Sequence, residues 1–185
     1  MTARLDMIQG AVMITSDAYE IGEITDVRYD PFEWRVVGLR VKPTKKASVK
    51  LAAGFGKSAI LILPRTFVLN DVLLLSQPIE RLKDLTVPDN NNISSLSTLV
   101  NKKVVSRDSQ QVGITTTVMV DPDAWKVSSI VVQLDKAATE AMGMKKGLFS
   151  KISVGISAEM ILPCADMIHL NAPIAELTGR VTILE

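Results

Sequence analysis

Residues 51–58 read Leu-Ala-Ala-Gly-Phe-Gly-Lys-Ser and close on the Gly-Lys-Ser of a phosphate-cradling loop. In that chemistry backbone N–H groups wrap the phosphates, the lysine reaches the terminal phosphates, and the hydroxyl holds magnesium. The motif needs glycine at its first position, a strand before it and a helix after it. Leu51 stands where that glycine belongs, and Ala59-Ile60-Leu61-Ile62 reads as a strand. Nucleotide chemistry is therefore not expected. His169 and Cys164 are the single histidine and single cysteine. Together they fall short of a Cys/His zinc site, and with no base beside it Cys164 lacks what activates a nucleophile. His169 reads as a surface or interface residue. Asp30 and Asp121 each precede proline and read as turn formers, because Asp accepts from backbone N–H groups and proline presets φ. No catalytic set, metal site or cofactor is expected, and the chain reads as a protein other than an enzyme.

The whole-chain numbers agree with a binding role. The chain has 185 residues, 47% of them hydrophobic, with 21 basic and 20 acidic side chains. A net charge of +1 disfavours nonspecific nucleic-acid binding, which rests on phosphate neutralisation. The longest charge-free runs, residues 90–101 and 109–120, are 12 residues each, short of the roughly 20 a spanning helix needs. No basic, apolar leader opens the sequence, so a soluble, cytoplasmic protein is expected.

The elements that must position any site come in two copies. Residues 10–41 laid over 101–132 match at nine positions: Asp17/Asp108, Gly22/Gly113, Thr25/Thr116, Val27/Val118, Asp30/Asp121, Pro31/Pro122, Trp34/Trp125, Val36/Val127 and Val41/Val132. At an offset of 95, Asp71/Asp166, Leu75/Leu170, Pro78/Pro173, Ile79/Ile174 and Leu82/Leu177 also coincide. The chain is an internal duplication. Pro88 and the asparagines 90–92 mark the join, which predicts one domain over 1–86, a linker at 87–92 and a second domain over 93–185.

Each half reads as short strands. Period-2 alternation puts Thr25, Val27 and Tyr29 on one face, repeated as Thr116, Val118 and Val120. The Asp30-Pro31 and Asp121-Pro122 turns make hairpins, with Trp34 and Trp125 as plugs beside them. Residues 59–63 with 71–75, and 152–158 with 167–170, close the two halves. Residues 135–146 read as a helix capped by Asp135, with a less definite counterpart in 43–56. The predicted fold is all-β: two tandem small barrels, each with a short helix in its long loop.

The runs ITSDAYEIGEITDVRYDPFEWRVVGLRV and VSRDSQQVGITTTVMVDPDAWKVSSIVV resemble the opening of PRC-barrel domains. Residues 96–101 fit the lead-in, although that family usually has glycine where Asn101 stands, and glycine where Trp34 and Trp125 stand. A bare tandem of such barrels is similar to the archaeal cell-division PRC-barrel proteins. That resemblance implies an adaptor in FtsZ-based division, a homodimer or a complex with a paralogous PRC-barrel protein. It also implies partners such as the membrane-anchoring SepF, with membrane contact only through partners. The alternative is an RNA or ribosome-assembly factor resembling RimM, whose first domain opens on a glycine-rich, His-containing stretch absent here.

One asymmetry between the halves points to an interface. If Leu61, Leu63, Leu73 and Leu75 face inward, then Ile60, Ile62, Val72 and Leu74 face outward. At an offset of 95 the second half has Gly155, Ser157, Met167 and His169 in those places. Four exposed aliphatics together would form a sticky patch. The other asymmetry is charge: residues 41–58 hold five lysines and no acid, a solvated loop or a contact for an acidic partner or anionic surface.

Overall fold

The computed structural model describes residues 2–50, 60–62, 66–69, 72–86, 93–144, 151–162 and 166–184. The chain divides into two compact, mostly β units. One is Met1–Ser97 with Asp121–Lys126, the other Thr98–Val120 with Val127–Glu185.

In the first unit β1 (Ala3–Arg4) and the single turn α1 (Leu5–Ile8) lead into β2 (Val12–Ile14), β3 (Glu20–Asp30) and β4 (Arg35–Pro43). Then come α2 (Lys45–Lys50), β5 (Ile60–Ile62), β6 (Thr66–Leu69), β7 (Val72–Leu75), a 3-10 segment Ile79–Leu85 and β8 (Ser94–Ser95). The sheet runs β6-β7-β2-β3-β4-β5. Its β2–β7 pair is parallel and its other pairs are antiparallel. Its inner face buries Met13, Ile21, Ile24, Val27, Leu39, Val41, Leu73 and Leu75. Strand β8 pairs with the far end of β3, where Arg28 Nη2 donates to the Ile93 carbonyl at 3.0 Å and Ser95 Oγ donates to Asp26. The unit thus takes in residues 93–97, beyond the asparagine run.

The second unit holds β9 (Lys103–Val105), β10 (Gln111–Asp121), β11 (Lys126–Leu134), α3 (Lys136–Ala141), β12 (Ser153–Ser157), β13 (Ile161–Leu162), β14 (Ile168–Leu170), α4 (Ile174–Leu177) and β15 (Val181–Leu184). Strand β9 pairs antiparallel with β10 and parallel with β14, as β2 does with β3 and β7. Strand β12 pairs with β11, as β5 does with β4. The core is Val104, Val112, Val118, Ile130, Val132, Val154, Ile156, Ile168 and Leu170, all fully buried.

The repeated identities have physical reasons. A Cβ on Gly22 would lie 2.0 Å from the Lys42 carbonyl oxygen, and one on Gly113 2.1 Å from that of Gln133. Only glycine lets the strands cross so closely. Asp30 Oδ1 accepts from the N–H groups of Phe32 (2.8 Å) and Glu33, and Asp121 Oδ1 from those of Asp123 (2.9 Å) and Ala124. Trp34 and Trp125 follow at φ +54° and +50°. That is left-handed backbone, which explains why glycine suits the position. Gly10 and Asn101 form a similar pair at φ +87° and +62°; asparagine tolerates this region better than most residues.

Asp17 and Asp108 are braces. Asp17 Oδ1 accepts from Ile79 N–H (3.1 Å) and Asp108 Oδ1 from Ile174 N–H (3.2 Å), tying each hairpin to the first turn of the closing helix. A hydrogen bond from Ser106 is the largest cause holding the Asp108 carboxyl below its ordinary range, helped by backbone N–H groups and Gln110. A depressed carboxylate contributes stability above its unfolded pKa, near 3.9, and loses it as pH falls through the folded value. Asp108→Asn should therefore lower the melting temperature at pH 7, and the gap from wild type should close as pH falls through the depressed folded value, below the ordinary carboxylate range. A gap independent of pH would contradict the brace.

Two local expectations are corrected. Thr25 and Thr116 do not share a face with Val27, Tyr29, Val118 and Val120. Both threonines are exposed and the other four are buried. In β3 the register against β4 shifts between Ile24 and Asp26, and this bulge flips the alternation. The helix expected over 135–146 is shorter. Asp135 caps it, accepting from Ala138 N–H at 2.8 Å, but Gly143 at φ +65° ends it. In the first unit Thr44 caps α2 in the same way through Ala47 N–H.

Candidate interaction surface

The parallel pair β2–β7 sets Val12 beside Val72, Met13 beside Leu73 and Ile14 beside Leu74. Met13, Leu73 and Leu75 are buried in the core. Period 2 then turns Val12, Ile14, Val72 and Leu74 to the outer face, where all four are half-buried. Strand β6 pairs with β7 on the other side, Leu69 opposite Val72 and Phe67 opposite Leu74 in register.

The second unit repeats the geometry with different chemistry. Val104 and Ile168 are buried in β9 and β14. The outer positions are Lys103 (exposed), Val105 (half-buried), Met167 (41% exposed) and His169 (exposed). His169 stands beside Val105, on the same face.

Ile60 and Ile62 do not join this surface by register. Strand β5 sets Ile60 opposite Val41, Leu61 opposite Arg40 and Ile62 opposite Leu39, and both Val41 and Leu39 are fully buried. In the second unit Val132, the repeat mate of Val41, stands opposite Val154. The mate of Ile60 is thus Val154, not Gly155. The two loops differ by one residue less than an offset of 95 implies, and a one-residue slip exchanges the faces of a strand. The expectation of outward Ile60 and Ile62 rests on the offset of 95. Their side chains fall outside the described residues.

The signature residues of the turns are structural. The Trp34 ring stacks on Tyr29 at 5.6 Å between centroids, and Trp125 is only 8% exposed. Phe32, at the tip of the first turn, is 78% exposed. Asp30, Pro31, Asp121 and Pro122 shape the turns and are not brought together as a carboxylate site.

An open polar recess of about 530 Å³ lies at one end of the first unit, lined by Asp17, Ala18, Tyr19, Glu20, Thr44 and Lys46. Lys46 Nζ sits 5.7 Å above the Tyr19 ring. Asp17 is committed to its brace and Thr44 to its cap, while Glu20 and Lys46 also line the recess. Residues 51–58 and Cys164 lie outside the described residues. Among the described residues no helix is long and apolar enough to cross a membrane.

No protein-family model matches the chain, and no curated protein matches it.

Proposed function

We propose that the chain is a non-enzymatic adaptor that associates with itself and with partner proteins through the outer face of the β2–β7 pair. The observation that carries this reading is the contrast between repeats. The same outer positions hold Val12, Ile14, Val72 and Leu74 in the first unit and Lys103, Val105, Met167 and His169 in the second. The scaffold does not require aliphatics at all four positions, since the second unit folds the same strands with Lys103 and His169 at two of them. A contiguous half-exposed aliphatic face marks an association site, and a dimer is the smallest assembly that covers it.

The resemblance of both repeats to PRC barrels supports a place in archaeal FtsZ-based division. A paralogous barrel protein or SepF would be the partner, and the protein would act in the cytoplasm at the division site. The test is capture from native cells with tagged wild type and tagged Leu74→Glu. Division proteins should be retained by wild type and lost by the variant. Retention of ribosomal proteins or RNA by both would overturn the reading in favour of ribosome assembly.

A further inference from the structure

We propose that the exposed face of α2, with the end of β4 before it, docks directly on an anionic phospholipid bilayer, without a protein intermediary. This goes beyond the adaptor reading and replaces the expectation that membrane contact comes only through partners.

The duplication provides an internal control. Helices α2 and α3 are seated alike: Thr44 and Asp135 cap them, and Ala47 and Ala138 are the buried seats. Their sequences diverge. At an offset of 91, Lys42, Lys46, Val49 and Lys50 correspond to Gln133, Ala137, Glu140 and Ala141, while Lys45 keeps its mate Lys136. In α3, Lys136 pairs with Glu140 at 3.9 Å, so that helix is neutralised. In α2 no acid is present, Lys42, Lys45 and Lys46 are exposed, and Val49 is 74% exposed. The fold therefore does not demand the basic face of α2.

Its composition selects the partner. The exposed cations of this face, Lys42, Lys45 and Lys46, are all lysine, although the chain has arginines elsewhere. Lysine is a compact point charge suited to diffuse headgroup charge, whereas recognition of a defined carboxylate or phosphate favours the arginine fork. Lys45 and Val49 are i,i+4 neighbours, so an apolar side chain stands among the charges. Nucleic acid gives Val49 nothing to bury against; the headgroup–acyl boundary does. Of the nearby acids, Glu23 stands opposite Lys42 across the β3–β4 pair, and Asp17 and Glu20 share the recess with Lys46; Lys45 and Val49 have no acid on their own helix. Lysines near an anionic surface act additively, and one short helix gives a reversible contact.

The test is co-sedimentation of the full chain with vesicles of phosphatidylglycerol and phosphatidylcholine, against phosphatidylcholine alone. Wild type should sediment only with the anionic vesicles and be released at about 0.5 M salt. Exchanging the second repeat's residues into the first (Lys42→Gln, Lys46→Ala, Val49→Glu and Lys50→Ala) should lower partition about 100-fold. Circular dichroism checks its fold, and Lys45→Glu with Lys46→Glu gives an independent surface variant. Val49→Glu alone should also weaken binding. No sedimentation with anionic vesicles, or an exchange variant that sediments like wild type, would overturn the proposal. So would displacement by RNA with Val49→Glu silent, which would mark a general polyanion site. Repeating the assay on Leu74→Glu separates this contact from self-association.

Discussion

Gly113→Ala should destabilise the second unit by about 4 kcal/mol or more, and Gly22→Ala the first by a similar amount, because the added methyl meets backbone and not a movable side chain. At 2.0–2.1 Å from a carbonyl oxygen, the strand partner must shift bodily or the ladder must open. Gly22 adds a φ of +154° to the steric clash. Gly179→Ala is the control: a Cβ there meets nothing within 4 Å, and stability should change little. Gly143→Ala should fall between them, at about 1 kcal/mol, since its φ of +65° is disfavoured but the space is open. Urea unfolding checks the order Gly113, then Gly143, then Gly179. A neutral Gly113→Ala would contradict the close strand crossing.

Val72→Glu with Leu74→Glu should weaken self-association by roughly 30- to 100-fold. Full burial of such a side chain is worth about 1.5–3 kcal/mol. Both are already half-buried, so covering the rest gives at most about 1 kcal/mol each, and a carboxylate forced into the contact adds the larger desolvation cost. The outer faces of β2 and β7 tolerate polar residues, as Lys103 and His169 show in the second unit, so the variant should fold. Analytical ultracentrifugation over a dilution series reads the shift. An unchanged dissociation constant would place the contact elsewhere.

Much of the scaffold is legible in the residues. Identical residues at a fixed offset mark backbone demands: Gly22 and Gly113 a close crossing, Asp30 and Asp121 a turn, Asp17 and Asp108 a brace. The alternation of Leu73 and Leu75 with Val72 and Leu74 is local, so one residue of known parity sets the whole strand. The parity of Ile60 and Ile62 depends on the length of a loop between strands, which no local pattern records. Thr25 misled for a related reason, since a bulge breaks period 2 without a glycine to announce it. Strand β6 went unread, since its four residues fall between longer apolar runs. The outer contribution of Val12 and Ile14 was missed as well. Both lie in a β-branched run whose parity becomes visible only once β2 is set beside β7.

The central claim is that an apolar face of the first unit drives assembly. Apolar burial is not screened by salt, whereas an interface of charges is. Multi-angle light scattering across a concentration series, at low and at about 0.5 M salt, tests this most directly. A dimer or larger species should persist at both salt levels in wild type. It should give way to monomer in Val72→Glu with Leu74→Glu, whose circular dichroism remains β-like. A wild-type monomer at every concentration, or an assembly that dissolves in salt and ignores the two substitutions, would contradict the account.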